Sequence, residues 1–166
     1  MFEVFNCPNL RSFLILQGAG SCLWSLTISC GDEVLPTWLQ SCTSLSTLTI
    51  ACQNLISIPE LRELHSLAVL NISNCSNLKS ILDLGELHSL TYLSIFYCQK
   101  LTCLTEELKR VTRLKYLLIG GFCVELDTFP SLSSIQNLHT SLESLGLFGW
   151  DKLNSLWTKY NASLPL

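Results

Sequence analysis

Cysteine and histidine are the residues of this sequence with the widest chemical repertoire. The chain has nine cysteines and three histidines among its 166 residues. Such side chains could bind zinc, undergo thiol chemistry, or act as a nucleophile and its base. A zinc site needs Cys and His clustered at short spacing, and no such cluster is found. No ordered Cys-His or Ser-His-Asp signature is found either.

The histidines point to duplication instead of catalysis. His65 and His88 each stand in the same phrase, Glu-Leu-His-Ser-Leu, while His139 stands apart. Paired acids such as Glu106 and Glu107 are expected to face solvent. We therefore expect no enzyme activity, no catalytic residue, no cofactor and no metal.

Composition excludes several other classes. Hydrophobic residues make up 48% and charged residues 14%, which is too apolar for a disordered tail. The net charge of −3 does not indicate the basic surface that binding to nucleic acid requires. No uninterrupted apolar run approaches the roughly 18 residues of a membrane span. The N-terminal stretch MFEVFNCPNL lacks a basic start, so we expect no secretory signal, reduced thiols and a cytoplasmic location.

An internal repeat organises the whole chain. Residues 67–81 and 90–104 both read L-x-x-L-x-I-x-x-C-x-x-L-x-x-(I/L). First-position leucines recur at intervals of 22, 22, 23, 24 and 28 residues, at Leu23, Leu45, Leu67, Leu90, Leu114 and Leu142. Apolar residues at the fourth and sixth positions follow each of them. A period of this length is typical of leucine-rich repeats, which stack one supersecondary unit on the next.

The spacing predicts the local structure of each repeat. Alternation at positions 4 to 6 is the period of a strand, with positions 4 and 6 facing the core and positions 3, 5 and 7 facing out. Strands this short need neighbours, so we expect one parallel sheet. The fold class is therefore an α/β solenoid: a leucine-rich-repeat arc with short strands on the concave face and irregular or short-helical returns on the convex side.

The repeat also divides the chain. We expect a single domain over 1–166, with a partial repeat over 1–22, repeats starting at 23, 45, 67, 90, 114 and 142, and a truncated repeat from about 164. The unit between Leu114 and Leu142 is irregular, and its extra residues are expected to bulge or form a short helix on the return side. Because both ends lack a polar cap, we expect the isolated chain to be marginally soluble or to self-associate.

Most of the cysteines that can be assigned to a position of the repeat fall at position 9. It is cysteine at Cys7, Cys75 and Cys98, and Cys52 is expected to take the same place one residue early. Cys30 is also early, and the anchors that follow it are less regular. Since cysteine is among the most buried residue types, these thiols are predicted to form a ladder in the core.

Several phrases resemble the repeats of plant intracellular nucleotide-binding leucine-rich-repeat disease resistance proteins. They are LPTWLQSCTSL at 35–45, CPNL at 7–10 and DKLNSL at 151–156. The resemblance implies a protein-interaction module for pathogen-effector recognition, autoinhibition, or both. Its partner would be an effector, a guarded host protein, or the receptor's own nucleotide-binding domain. The sequence has no G-x-x-x-x-G-K-[ST] phosphate loop, so we expect a portion of a larger receptor.

Two other functions remain open. F-box-type substrate receptors also use cysteine at position 9, although the I-T-D-like stretch of their repeats and an F-box are absent here. The chain could also be a truncated receptor fragment with only a structural role. The L-x-G-x-I-P-style signature of extracellular plant repeats is absent.

The outward strand positions are the predicted contact surface. Positions 3 and 7 of three successive repeats carry Tyr92, Phe96, Tyr116 and Phe148, with Lys115 and Glu143 beside them at position 2. Exposed aromatic side chains commonly anchor protein interfaces. The alternative is that these rings cover the sheet or pack on a neighbouring domain.

Overall fold

We analysed a computed structural model of the chain. It describes residues 2–5, 22–58, 61–81, 84–101, 108, 110–121 and 141–148. The strands are β1 (Phe2–Phe5), β2 (Ser25–Ser29), β3 (Thr47–Ile50), β4 (Ser57–Ile58), β5 (Val69–Ser73), β6 (Ser80–Ile81), β7 (Tyr92–Phe96), β8 (Tyr116–Gly120) and β9 (Ser144–Phe148). Two 3-10 helices span Thr37–Ser41 and Leu84–Glu86.

Seven of the strands form one parallel sheet in the order β1-β2-β3-β5-β7-β8-β9. Each strand of this sheet after the first begins two residues after a first-position leucine, so each repeat contributes one strand. The register places equivalent residues side by side: Leu48 pairs with Leu70, and Leu70 pairs with Leu93. A parallel pair needs a crossover connection, and the rest of each repeat supplies it. This arrangement fits a leucine-rich-repeat arc.

The core consists of the inward positions of these strands. The prediction for positions 4 and 6 is confirmed in five strands, where the side chains are fully buried: Leu26, Ile28, Leu48, Ile50, Leu70, Ile72, Leu93, Ile95, Leu117 and Ile119. The prediction is wrong for β9, because Leu145, at position 4 of that strand, is 43% exposed. β9 ends the sheet order, so of the described strands only β8 flanks it.

The return segments contain a second, smaller sheet. β4 and β6 pair in parallel, Ser57 with Ser80 and Ile58 with Ile81. The sequence predicts apolar anchors in the returns, but not this pairing. The pairing arises because the apolar anchors Leu55 and Ile58, three residues apart, are both buried. The short backbone segment between them stays extended.

Helix is scarcer than the α/β class implies. No α-helix occurs within the described ranges, where the helical residues are of the 3-10 type. Pro36, with φ at −67°, precedes the first 3-10 helix, which buries Leu39. Tight turns recur before the strands: the N–H of Leu67 donates to the carbonyl of Leu64, and that of Leu90 to Leu87. Turns of this length leave no room for a full α-helix.

Several expectations fall outside the described residues. These are the partial copy beyond Phe5, most of the irregular unit between Leu114 and Leu142, and the truncated repeat from about 164. The repeat boundaries and the concave curvature stay predictions. Within the described ranges, no helix is both long and apolar enough to pass through a membrane.

Candidate functional site

Four cysteines form a buried ladder just beyond the strand ends. The predicted place of Cys52 is confirmed: its backbone N–H donates to Sγ of Cys75 over 3.4 Å, and both side chains are fully buried. Cys98 continues the ladder. Its thiol donates to the Phe96 carbonyl at 3.5 Å, and the Cys75 thiol makes the same bond to Ser73 at 3.4 Å.

The environment of the ladder disfavours thiolates at its centre. The hydrogen bond to Cys98 and burial both raise the pKa of Cys75. Burial, and then the contact with Cys30, raise the pKa of Cys52. A thiol must ionise to act as a nucleophile. These central cysteines are therefore core residues, as the sequence predicts.

The predicted aromatic residues come together on the outward face of β7, β8 and β9. Tyr92 lies opposite Tyr116, and their ring centroids are 6.2 Å apart. Phe96 and Phe148 are two strands apart in the register, with Gly120 between them. Their rings nevertheless meet, with centroids 5.7 Å apart and planes tilted by 41°. Both separations are those of favourable aromatic pairs.

Gly120 is what allows the two phenylalanine rings to meet. A Cβ added at Gly120 would lie 2.9 Å from Cβ of Phe148 and 2.9 Å from Cε1 of Phe96. Any larger residue would occupy the space between the rings. This role of Gly120 is not among the predictions from the sequence, although a glycine that the repeat register places between two aromatic positions is a recognisable signal.

Leu118 lies close to the Phe148 ring, over Gly146. It faces outward at position 5 of β8, and a Cβ added at Gly146 would lie 2.6 Å from its Cδ2 and 2.7 Å from Cε2 of Phe148. The phenylalanine ring and the leucine therefore both lie over Gly146. We call the surface formed by Tyr92, Phe96, Tyr116, Leu118 and Phe148 the aromatic patch. Leu118 is not among the predicted contact residues, because those lie at positions 2, 3 and 7 and Leu118 occupies position 5.

Tyr97 extends the patch at its edge. Its side chain is 60% exposed, and its ring lies 6.3 Å from that of Phe96. Its φ of +54° is unusual for a residue with a bulky side chain. Gly121 makes room beside it, because a Cβ there would lie 2.7 Å from Cδ1 of Tyr97.

The two predicted charged residues form the polar border of the patch. Nζ of Lys115 donates to Glu143 over 2.7 Å, and the Tyr116 hydroxyl donates to the same carboxylate over 2.9 Å. The hydrogen bond from Lys115 and then that from Tyr116 lower the pKa of Glu143. The bond to Glu143 raises the pKa values of Lys115 and Tyr116. All three side chains are exposed to solvent.

The outward positions of β2, β3 and β5 are mostly polar and carry no charge. Strands β2, β3 and β5 present serine, threonine, valine and asparagine at their outward positions, and the Asn71 amide donates to the Thr49 hydroxyl over 3.4 Å. None of the strands from β2 to β9 contains a charged residue. The aromatic patch therefore lies at one end of these uncharged strands.

A shallow groove opens past the ends of β2, β3 and β5. Its volume is about 430 Å³, and it is lined by Ser29, Cys30, Gly31, Ala51, Gln53, Asn54, Asn74 and Ser76. The Asn54 amide donates to the Gly31 carbonyl over 2.9 Å, which fixes one wall. The lining carries hydroxyl and amide groups but no charge.

Neither described histidine belongs to a catalytic or metal-binding cluster. His65 and His88 are exposed, and Nε2 of His88 lies 3.8 Å from a Glu86 oxygen. Across the described ranges, no three His, Cys, Asp or Glu side chains are grouped as metal ligands would be. His139 lies outside those ranges.

The chain was compared with known protein families, curated proteins and solved structures. No protein family and no curated protein matches the sequence. Among solved structures, the chain is similar to the leucine-rich repeat domain of the type III effector XopL. The likeness has 21% identity and a TM-score of 0.42, and covers 93% of this chain and 69% of that one.

Proposed function

We propose that this chain is a protein–protein interaction module that binds its partner through the aromatic patch. In this proposal the chain is a leucine-rich-repeat portion of a plant intracellular immune receptor, with the strand face on the concave side of the arc. It acts in the cytoplasm, without catalysis, in effector recognition, in autoinhibition, or in both. The observation that carries the proposal is the exposed cluster of aromatic rings at one end of a sheet whose strands from β2 to β9 contain no charged residue.

The exposure of the rings supports a binding role. Phe148 is 52% exposed and Tyr116 is 40% exposed, although both belong to strands of the sheet. Large apolar side chains that cluster in the open have a favourable free energy of transfer out of water, which a partner surface would supply. Aromatic residues with few rotatable bonds lose little entropy when they become buried.

The rings are also held in place before a partner arrives. Phe96 and Phe148 contact each other over Gly120, while Tyr116 is fixed by its hydrogen bond to Glu143. Preorganisation of this kind lowers the entropic cost of binding. A rigid aromatic surface is therefore better suited to specific binding of one apolar partner surface than to nonspecific association.

Charge has a secondary role in this recognition. The strand face has no charged side chain from β2 to β9, and Lys115 and Glu143 neutralise each other at its border. Apolar contact and shape, more than long-range attraction, would therefore select the partner. We expect the affinity to change little with salt concentration.

The resemblance in the sequence supplies the receptor class. The phrase at 35–45 folds into the 3-10 helix of a return segment, with Leu35, Pro36 and Leu39 buried and Trp38 packed against the core. It therefore acts as a structural link between repeats. The partner classes are a pathogen effector, a guarded host protein, or the receptor's own nucleotide-binding domain.

Co-precipitation from plant tissue tests the proposal. The tagged chain is compared with a triple variant carrying Tyr92→Ala, Phe96→Ala and Tyr116→Ala. The matched control carries Thr27→Ala and Thr47→Ala, outward residues of β2 and β3 in the same sheet. We expect the triple variant to lose a receptor nucleotide-binding domain, an effector or a host protein that both the parent and the control retain. Circular dichroism verifies that each variant is folded.

Two results would contradict the proposal. Equal recovery of every partner by the folded triple variant would exclude the aromatic patch as the contact surface. Recovery of a ubiquitin-ligase adaptor in place of receptor or effector proteins would favour the F-box-type alternative.

A further inference from the structure

The closest sulfur–sulfur contact described in the cysteine ladder joins Cys30 and Cys52. Their Sγ atoms are 2.7 Å apart. Non-bonded heavy atoms attract best at roughly 3.5–4.0 Å, so the two sulfurs are closer than ordinary packing places them. The next pair of the ladder differs, because Cys52 contacts Sγ of Cys75 through its backbone nitrogen.

The backbone around the pair has the spacing that a disulfide requires. Ile28 and Ile50 are register partners in β2 and β3, and each cysteine lies two residues beyond its isoleucine. The N–H of Ala51 donates to the Ile28 carbonyl over 2.8 Å, so the pairing continues past Ile50. Neighbouring strands lie about 4.7–4.9 Å apart, which falls inside the usual Cα separation of about 4.4–6.8 Å for a disulfide.

The groove gives a reagent access to one residue of the pair. Cys30 is among the residues that line it and is 5% exposed, whereas Cys52 is fully buried and does not line it. Burial also raises the pKa of the Cys52 thiol, which makes it the poorer first nucleophile. Access therefore favours initial attack by Cys30, with Cys52 in position for the second step.

We propose that Cys30 and Cys52 are a redox-active pair that forms an inter-repeat disulfide with a small disulfide such as oxidised glutathione. The Cys30 thiolate attacks one sulfur of the oxidant, whose S–S bond breaks and releases one glutathione. Cys52 then loses its proton as its sulfur attacks the Cys30 sulfur, and the displaced second glutathione takes up that proton. The protein thiols lose two protons and two electrons in total, and the two released glutathione thiols carry them.

The bond would fasten one repeat to the next. The two cysteines are 22 residues apart in sequence, so the crosslink closes one repeat into a loop. Closing such a loop restricts the unfolded chain, and we expect Tm to rise by roughly 5–10 °C. The proposal is independent of the binding function, because both sulfurs lie apart from the aromatic patch.

Mass mapping of the folded chain tests the proposal. A Cys22→Ser variant removes an exposed thiol that could crosslink two molecules. It is incubated with oxidised glutathione, the remaining thiols are alkylated, and the unfolded product is cut with trypsin and a glutamate-specific protease. Cleavage after Arg11 and Glu33 separates a fragment over 12–33, whose only remaining cysteine is Cys30, from one over 34–60 with Cys42 and Cys52. We expect the fragments to be joined, with fragment ions placing the bond at Cys52 and the intact monomer about 2 Da lighter.

Two variants complete the design. Cys52→Ala should abolish the joined fragments, whereas Cys75→Ala, at an equally buried ladder position, should keep them. If either variant does not fold, mapping of the Cys22→Ser parent decides by itself. Separate fragments, a bond at Cys42, crosslinks only between molecules, or a Tm that oxidation leaves unchanged or lowers would each overturn the proposal.

Discussion

At the scale of single residues, Gly120 controls the geometry of the aromatic patch. We expect Gly120→Ala to lower the free energy of unfolding by about 1–3 kcal/mol, the usual cost of overpacking. The new Cβ would lie 2.9 Å from the backbone oxygen of Phe148 as well as from Cβ of that residue and the Phe96 ring. Since backbone atoms cannot swing aside, the strands must shift. Urea unfolding measures the change.

Gly31→Ala is the matched control for this substitution. The nearest atom to an added Cβ at Gly31 is Nδ2 of Asn54, 4.0 Å away. We expect a change in unfolding free energy within about 0.5 kcal/mol. Equal losses for the two variants would show that the contact with the rings is not the cause.

Glu143 gives a prediction about pH. Its pKa is lowered by the hydrogen bonds from Lys115 and Tyr116, from an ordinary value of 4.5. A lowered pKa in the folded state means that the carboxylate stabilises the fold above about pH 4.5, and that this stabilisation disappears as the pH falls through the lowered value. We expect Glu143→Gln to have a slightly lower Tm than the parent at pH 7 and an equal Tm well below pH 4.5.

The dependence on salt provides the control for the pH prediction. All three groups are exposed, so concentrated salt should screen their interaction and reduce the Tm difference at pH 7. A difference that persists at low pH and in high salt would assign the effect to packing instead of charge.

The residue scale also shows how much of the site could be predicted. The repeat spacing predicts that Tyr92, Tyr116 and Phe148 lie on neighbouring strands, as they do. The strand period predicts that all three face the same side of the sheet. Neither predicts that Leu118 lies close to the Phe148 ring. That contact depends on how the Phe148 ring is tilted over Gly146, which spacing does not determine.

At the scale of elements, the same repeat position contributes differently in different strands. We expect Leu93→Ala to lower the free energy of unfolding by about 2–5 kcal/mol, because the side chain is fully buried in β7. Leu145→Ala removes the equivalent leucine of β9, which is 43% exposed, and should cost less than half as much. Equal costs by urea unfolding would contradict the burial gradient.

Elements were predicted best where the sequence repeats most closely. The six strands from the repeated units lie where the fourth and sixth positions place them, since alternation specifies the register directly. The pairing of β4 with β6 was not predicted. Ser57 and Ser80 meet because two returns run side by side, which is a relation between repeats and not a pattern within one.

At the scale of the whole molecule, the described sheet is a one-dimensional stack. Its order follows the chain, so β5 pairs with β3 and β7 and not with β9. Stability in such a stack is approximately a sum of terms for single repeats and for neighbouring pairs. A defect should therefore spread outward from its own repeat with decreasing effect.

Hydrogen exchange after Leu70→Ala measures that spread. Leu70 is fully buried in β5, between Leu48 and Leu93 in the register. We expect the largest loss of amide protection in β3, β5 and β7, and a smaller loss in β9, because the terms for β8 and β9 do not include the mutated residue. Leu145→Ala should reverse the order, with its effect concentrated in β8 and β9. An equal loss of amide protection in every strand would contradict this expectation. It would mean that the whole sheet unfolds as one cooperative unit, including repeats that are not neighbours.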